Sequence, residues 1–355
     1  MTTTYTVRVE PLGAEVSCRE DQTVLDACLR EGVWLPHACT HGTCGTCKAI
    51  VLDGDIDLGS ASPFALLDSE REEGCALLCV ARPRGDLVVE GEVDIEDGVE
   101  VHPVRDHRGR VVTLEEVAPD VRRVVLDLTR PMPFNAGQYV QLVLPGGDTR
   151  PYSIANSPSD PRRIELHVRR HPGGAATDRW IFKDLAVGDE VALSGPYGTF
   201  SWRPARDKPV LLVGTGTGLA PLASILAQLG DTAAAAGWEH EVVLYHGVAT
   251  KDELYDRERY ERLQQELPWF SYRPAVSREP VNGRQGRVTD LLAKDFPRAS
   301  GRVAYLCGSP RAVEDTMKVL MRARLFPRDI LREGFFDSAD RASGTHVVRS
   351  PLIRR

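Results

Sequence analysis

Apolar and polar positions alternate at period two over residues 4–10 and again over 15–18, which predicts two strands joined by a turn at Pro11, Leu12 and Gly13. Residues 23–29 carry apolar side chains at helical spacing behind two possible caps, Asp21 and Thr23, and read as a helix. A glycine-punctuated loop over 36–47 follows, then a strand at 49–52, a turn at Asp53-Gly54 and a strand at 87–90. The acidic stretch 94–100 reads as a linker. From about residue 102 the pattern is all strand, at 110–114, 121–128, 139–144, 164–169 and 190–194, parted by Pro and Gly turns. That pattern predicts a small antiparallel barrel, with a sandwich as the alternative. After Pro204 the pattern changes again. Continuous apolar runs at 209–213, 241–246, 270–276 and 303–307 read as strands covered on both faces. Helices are expected at 220–229, 252–266 and 311–323, and an alanine-rich turn at 232–237. Such alternation predicts a parallel sheet with its ligand at the carboxyl ends of the strands.

At 355 residues the chain is longer than one ordinary core requires. The expected organisation is multidomain, α+β and then α/β, divided as 1–95, a linker at 96–103, 104–205 and 206–355. No run approaches the roughly 18 apolar residues of a membrane span, and the first residues lack the basic head and apolar core of a signal peptide. Cytoplasmic residence is the expectation, with no membrane or nucleic-acid partner and a monomeric state. The net charge of −7 conceals an asymmetry: residues 1–100 hold 20 acidic against 7 basic side chains, leaving 31 against 37 in the remainder. The first segment therefore reads as a distinct unit whose acidic face can meet a basic one.

Cysteine placement changes the picture most. Seven of the eight cysteines, Cys18, Cys28, Cys39, Cys44, Cys47, Cys75 and Cys79, precede residue 80, and Cys307 stands apart. A chain of this length has no need of a disulfide framework, so the cluster points to metal or redox work. Cys39-x4-Cys44-x2-Cys47, with Cys79 as the fourth ligand, has the plant-type 2Fe-2S spacing rather than the paired short spacings of zinc sites. Gly42 and Gly45 lie where the loop passes inorganic sulfur and can offer bare amide N–H groups, while Lys48 can offset part of the negative charge. Cys18 and Cys28 read as buried thiols. Cys75 competes with Cys79, which is preferred for its place in the apolar run Leu77-Leu78-Cys79-Val80.

Three further segments carry weaker signals on their own. Arg150-Pro151-Tyr152-Ser153 offers a guanidinium fork and hydroxyls suited to phosphate and a ring system. Gly173-Gly174-Ala175-Ala176-Thr177 opens a helix candidate whose first N–H groups suit a pyrophosphate. Gly214-Thr215-Gly216-Thr217-Gly218 stands between an apolar strand and a helix, as a dinucleotide turn does, although its spacing departs from Gly-x-Gly-x-x-Gly. Cys307-Gly308 ends another strand at the same sheet edge, where Cys307 can equally be a satisfied core thiol.

Taken together, these segments resemble the ferredoxin-reductase-like NAD(P)H oxidoreductases that act as reductase components of bacterial multicomponent oxygenases. Within that family they are most similar to the branch serving phenol hydroxylase and related soluble di-iron monooxygenases. The likeness covers nearly the whole chain and includes Ser194-Gly195-Pro196-Tyr197-Gly198 and the run Ser60-Ala61-Ser62-Pro63-Phe64-Ala65-Leu66. It implies a β-grasp plant-type ferredoxin domain, an antiparallel β-barrel FAD domain and a parallel-sheet α/β NAD domain. By the same resemblance Arg150, Pro151, Tyr152 and Ser153 bind FAD, His167 and Val168 line it with backbone groups, and Gly173, Gly174 and Thr177 hold its phosphates. Gly214, Thr215 and Gly216 approach the nicotinamide nucleotide, Cys307 and Gly308 border the nicotinamide, and Phe335 or Phe336 covers the flavin. Ser277-Arg278-Glu279 resembles the 2′-phosphate-reading segment of NADP-dependent plant reductases. The Lys and Tyr that go with it are not evident near Gly286-Arg287-Val288, and the branch is mostly NADH-linked, so NADH is expected over NADPH.

The implied activity carries electrons from NADH to FAD, to the cluster and on to a hydroxylase. The hydroxylase would dock near residues 40–43, steered by acidic residues such as Asp68, Glu70 and Glu72. No side-chain acid or base is required, because the cofactors carry the redox chemistry. The alternatives are the reductase of a Rieske-type ring-hydroxylating dioxygenase, a stand-alone reductase of small acceptors, and an assembly or sensing protein whose cluster does not turn over. The purified protein is expected to contain about two irons and two labile sulfides per chain. Cys79→Ser should lose cluster absorption that Cys75→Ser keeps; zinc in place of iron, or the reverse pattern between the two variants, would overturn the assignment.

Overall fold

The computed structural model describes residues 2–91 and 95–335. They divide into two compact units, one running through Asp106 and including Gly195–Thr199, the other formed by His107–Ser194 and Phe200–Phe335.

The first unit is built on a five-stranded sheet in the order Ala14–Arg19, Thr4–Glu10, Leu87–Glu90, Lys48–Asp53 and Cys75–Leu77. Thr4–Glu10 pairs antiparallel with Ala14–Arg19 and parallel with Leu87–Glu90. The expected alternation is realised as burial: Val7, Val9, Val16 and Cys18 face the core. The helix Val24–Arg30 lies on this face, burying Val24, Leu25, Ala27, Cys28 and Leu29. Thr23 is its cap, accepting from the Asp26 amide at 3.3 Å. Burial pushes the thiols of Cys18 and Cys28 up to about 11 and about 12. The short helix Asp68–Glu72 was not legible in the sequence; five residues are too few to show a period.

The second unit holds two sheets. A six-stranded sheet runs in the order Thr149–Ser153, Tyr139–Val143, Glu190–Tyr197, Arg105–Ala118, Val121–Leu128 and Arg163–Arg169. Its two edge strands are brought together by a bridge between Ile154 and Leu166. Val111, Val124, Leu126, Ile164, Leu166 and Leu193 fill its interior. The second sheet is wholly parallel, in the order Phe270–Val276, Val242–Val248, Val210–Thr215, Val303–Gly308 and Ile330–Gly334. Its fifth strand escaped the pattern because Arg332 and Glu333 interrupt the apolar run.

Two expectations are corrected here. Residues 232–236 are not a turn: the helix Leu219–Ala236 continues through them, as alanine favours, and ends where Gly237 adopts φ +82°. The helix expected over 252–266 is broken, because Asp256 sits at φ +56° between a 3-10 turn, Lys251–Glu253, and the helix Arg257–Glu266. The segment Gly216–Ala236 is long and apolar enough by length and composition to cross a membrane, yet half of it is buried within the fold. Its apolarity is spent on sheet packing, through Leu219, Leu222, Ile225, Leu226 and Leu229.

At the carboxyl edge of the parallel sheet the turn after Val210–Thr215 presses on the end of Val303–Gly308. A Cβ on Gly218 would overlap the Cys307 carbonyl, and one on Gly308 would overlap the Thr215 hydroxyl. Gly218→Ala is therefore expected to cost about 1–3 kcal/mol through overpacking, read as a lower thermal midpoint; an unchanged midpoint would contradict this close approach.

Candidate functional site

The loop from Cys39 to Cys47 turns on Gly42 and Gly45, at φ +79° and +77°. At Gly42 a side chain would be strained by the left-handed backbone and crowded, since its Cβ would lie 3.1 Å from Val80 and 3.2 Å from the Ser60 carbonyl. The loop is tied to the chain around Cys79 by the Leu78 amide, which donates to the Cys47 carbonyl at 3.1 Å. Leu78 in turn accepts from the Leu25 amide at the start of the helix Val24–Arg30, at 2.9 Å. The outcome is a string of neighbouring sulfurs. Cys39 is hydrogen-bonded to Cys44 and Cys79, and Cys79 also to Cys47. Sharing of protons with Cys44 and Cys79 holds the Cys39 thiol well below its usual range, while the same contacts and burial push Cys44 and Cys79 up.

Among the described residues no three His, Cys, Asp or Glu side chains converge as the ligands of a single ion. A string of four thiols suits two irons bridged by sulfide, each taking two sulfurs, better than one zinc. Cys75 is not part of the string. It opens the strand Cys75–Leu77 opposite Ile50, and its thiol is raised by burial and then by Glu70.

Two charged groups expected near this loop are otherwise engaged. Lys48 Nζ binds Glu70 Oε1 at 2.6 Å, and Glu70 Oε2 accepts from the Leu67 amide at 2.9 Å. Both charges are spent on each other, whereas Asp68 has an almost fully exposed side chain with only a loose approach of 3.9 Å to Arg71. Sequence reasoning also missed His37. Its Nδ1 donates to the Leu35 carbonyl at 2.7 Å and its Nε2 accepts from the Gly198 amide at 2.8 Å. Burial lowers its pKa to about 4, so the ring is neutral in this tautomer.

In the second unit the expected flavin residues lie on two strands. Arg150 and Pro151 stand on the edge strand Thr149–Ser153, where a proline costs no ladder bond. Arg150 is partly exposed, 3.8 Å from Asp148 and donating to the Thr149 carbonyl at 2.7 Å. Tyr152 packs on the interior of the six-stranded sheet, and burial raises its phenol. Ser153 is buried and hydrogen-bonded to Glu333, a residue absent from the sequence reading. Burial pushes the Glu333 carboxyl up to about 8, and its Oε2 has no partner. Glu333 also adds to the burial that raises the Cys307 thiol. Phe335 donates its amide to the Gly308 carbonyl at 2.8 Å and packs on the core that contains Cys307. Ser153, Cys307, Gly308, Glu333 and Phe335 thus form one group; Phe336 lies outside the described residues.

His167 and Val168 belong to Arg163–Arg169, with Val168 in the interior and the His167 ring bound to Glu165 at 2.8 Å. Gly173 and Gly174 precede a helix of π type, Ala175–Asp184. Their amides close the turn itself: Gly173 donates to Asp178 at 3.0 Å and Gly174 to the His171 carbonyl at 2.9 Å. The Thr177 hydroxyl accepts from the His171 amide at 3.0 Å.

Gly214, Thr215 and Gly216 end the central parallel strand. Gly216 adopts φ +54°, and a Cβ built on it would lie 3.7 Å from the Arg169 guanidinium. Beside it His246 is fully buried, neither nitrogen making a well-formed hydrogen bond although the Gly216 backbone lies close; burial lowers its pKa to about 4. A buried carboxyl oxygen and an imidazole left unsatisfied at one sheet edge are what a site for a polar ligand leaves open. The cysteine string thus fits an iron–sulfur cluster and the sheet edge leaves polar groups open to a ligand, whereas the Gly173 and Gly174 amides are taken within their own turn.

Comparison with known proteins finds three families along the chain. Residues 7–84 match the 2Fe-2S iron-sulfur cluster binding domain, 108–202 the oxidoreductase FAD-binding domain and 212–318 the oxidoreductase NAD-binding domain. The reductase component DmpP of phenol 2-monooxygenase from Pseudomonas sp. (strain CF600) is 44% identical over 99% of both chains. The reductase subunit of an aromatic O-demethylase from Amycolatopsis sp. is 45% identical over 91% of this chain and 96% of its own. Among solved structures, the Amycolatopsis cytochrome P450 reductase GcoB superposes with a TM-score of 0.87 at 44% identity, covering 94% of this chain and 99% of that one. With cluster, flavin and nicotinamide domains in one continuous match, the chain belongs to the ferredoxin-reductase-like iron–sulfur flavoproteins that serve as reductase components of oxygenases.

Proposed function

We propose that this protein is the NADH-oxidising reductase of a di-iron monooxygenase acting on phenolic or similar substrates, with Cys39, Cys44, Cys47 and Cys79 holding its 2Fe-2S cluster. The observation that carries this reading is the string of four sulfurs in a chain that also gathers Ser153, Cys307 and Glu333 beside a glycine turn. When bound, FAD takes a hydride from NADH and releases electrons singly, as iron–sulfur clusters require. We read residues 1–95 as a β-grasp ferredoxin domain, 104–205 as an FAD-binding barrel closed by the Ile154–Leu166 bridge, and 206–355 as the NAD domain with its tail.

The chain's own residues bind, orient and exclude water. Arg150 holds the flavin pyrophosphate with its fork, Tyr152 lies against the ring system, and His167 and Val168 present backbone groups to it. Gly174 and Thr177 close the phosphate turn. Gly214, Thr215 and Gly216 seat the nicotinamide nucleotide, while Cys307, Gly308 and Phe335 wall off the reacting ring from water. Glu333, with a carboxyl pushed up to about 8 by burial, keeps a proton at neutral pH and so adds no negative charge beside the hydride path.

Glu279 accepts from the Lys251 amide at 2.7 Å and pairs with its ammonium at 3.5 Å. Its charge is thus partly offset, and the reading of NADH over NADPH rests on the branch the chain resembles and on the lack of the Lys and Tyr of a 2′-phosphate site near Gly286-Arg287-Val288. The partner docks at residues 40–43, steered by exposed acids including Asp68 and Glu72. The protein is read as a cytoplasmic monomer. The likeness to the aromatic O-demethylase reductase favours a second reading, in which the electron acceptor is a cytochrome P450.

Anaerobic mixing with NADH is expected to bleach the flavin and then the cluster, and the reduced protein to support turnover by a di-iron hydroxylase component. Turnover only with a P450 would favour the second reading, and no NADH oxidation would end both. An Arg150→Ala variant should lose roughly tenfold in FAD affinity, the worth of a charge-assisted pair, while keeping cluster absorption; wild-type FAD affinity would remove Arg150 from the site.

A further inference from the structure

Arg123 stands on Val121–Leu128, between Arg105–Ala118 and Arg163–Arg169, directly opposite Glu115 on one side and His167 on the other. Residues opposite one another in a ladder share a face, as do residues two apart on one strand. Glu115, Arg123, His167 and Glu165 therefore form a single polar patch on the six-stranded sheet. Arg123 binds Glu115 at 2.9 Å and Glu165 at 3.2 Å. Its remaining nitrogen, Nη2, donates to Asp256, which belongs to the parallel-sheet region. The side chains of Arg123 and Asp256 are only 18% and 11% exposed. An ion pair so covered is little weakened by salt.

Asp256 is the residue at φ +56° that breaks the expected helix. The break turns Tyr255 inward, so that its hydroxyl meets His167 Nδ1 at 3.2 Å. The Tyr255 ring stands edge-on to His167 at 5.1 Å and to His246 at 5.2 Å. His246 pairs with Gly214 in the parallel ladder. A continuous packed path therefore joins the strand of His167 and Val168 to the strand end that carries Gly214, Thr215 and Gly216.

Other bonds also join the two sheets, among them Ser157 to Asp231 at 2.6 Å and Ser224 to the Asn156 carbonyl at 2.7 Å. Arg169 also pairs with Glu253 of the parallel-sheet region at 3.0 Å; the Arg123 contact differs in being more deeply covered and in serving three carboxylates at once. A planar fork serving three carboxylates tolerates little rotation, so it fixes an angle where a single hydroxyl only fixes a distance. Hydride transfer is sensitive to that angle: reacting atoms must approach to about 3–3.5 Å, and a misplacement of about 1 Å costs on the order of 100-fold in rate.

We propose that Arg123 and Asp256 form a positioning clamp that sets the orientation of the nucleotide-binding sheet against the flavin-binding sheet for hydride transfer. This rests on the hydride path proposed above. Arg123 is a positioning residue, acting through Asp256, Tyr255 and His167.

The test uses the full-length holoprotein and two variants, Asp256→Asn, which tolerates the left-handed backbone, and Arg123→Lys, which keeps the charge and loses the fork. Flavin reduction by NADH is followed anaerobically by stopped flow, alongside FAD content, the electron paramagnetic resonance of the dithionite-reduced cluster and thermal unfolding. Both variants are expected to slow flavin reduction at saturating NADH by about tenfold or more, with the NADH half-saturation changed by less than about threefold. FAD content and the cluster spectrum should match wild type. A Ser157→Ala control, which removes a cross-sheet bond away from the clamp, should stay within about twofold of the wild-type rate. Reduction at the wild-type rate in both variants, a loss that only tracks missing FAD, or an equal loss in Ser157→Ala would each overturn the clamp. A wild-type protein that NADH does not reduce would instead reject the hydride path itself. If Asp256→Asn unfolds early, Arg123→Lys carries the comparison alone.

Discussion

Four thiols from two separated stretches of chain must meet in one buried place, and the architecture of the first unit follows from that demand. Three of them ride on a single loop and can find each other locally. The fourth, Cys79, is delivered by pairing: the Leu78 amide is fixed to the Cys47 carbonyl, and the Leu78 carbonyl to the helix start at Leu25. Contacts between the thiols hold Cys39 low and, with burial, push Cys44 and Cys79 up. Metal binding resolves such a conflict by replacing protons with cations, which is why a site of this kind couples metal affinity to folding.

The second unit meets a different constraint, that of leaving polar groups unsatisfied without losing the fold. The Glu333 carboxyl and the His246 ring are both buried at the carboxyl edge of the parallel sheet, and both shift toward neutrality under burial. A neutral group without a partner costs far less than a charged one. The close contact of Gly218 with the end of the Cys307 strand shows that the glycine turn serves two purposes. Gly216 leaves room for a ligand, while Gly218 allows two stretches of backbone to touch.

Much of this was legible in the chain. Period-two alternation found the strand Thr4–Glu10, the turn-bounded β pattern found Val121–Leu128, and a continuous apolar run found Phe270–Val276, because each has a buried face or two. The Thr23 cap announced its helix for the same local reason. What escaped was short, polar or broken. Ile330–Gly334 is a strand by virtue of its neighbour, Val303–Gly308, and not by its own composition. The break at Asp256 answers to Arg123, which lies 133 positions away. Glu333 and His37 matter through partners distant along the chain, Ser153 and Gly198, and nothing next to them in sequence names those partners.

The sequence by itself determined the iron–sulfur chemistry and the order of the parts: a cysteine spacing acts over a few consecutive residues, whereas the arginine and glycine segments gain meaning only from their order along the chain. Only the tertiary structure decided which charges are free to act. Lys48 and Glu70 cancel each other beside the cysteine loop, and Arg123 is committed to three carboxylates from separate strands and a helix start. Ion pairing is set by distances in space, and distance in space is the one quantity that a linear order of residues does not contain.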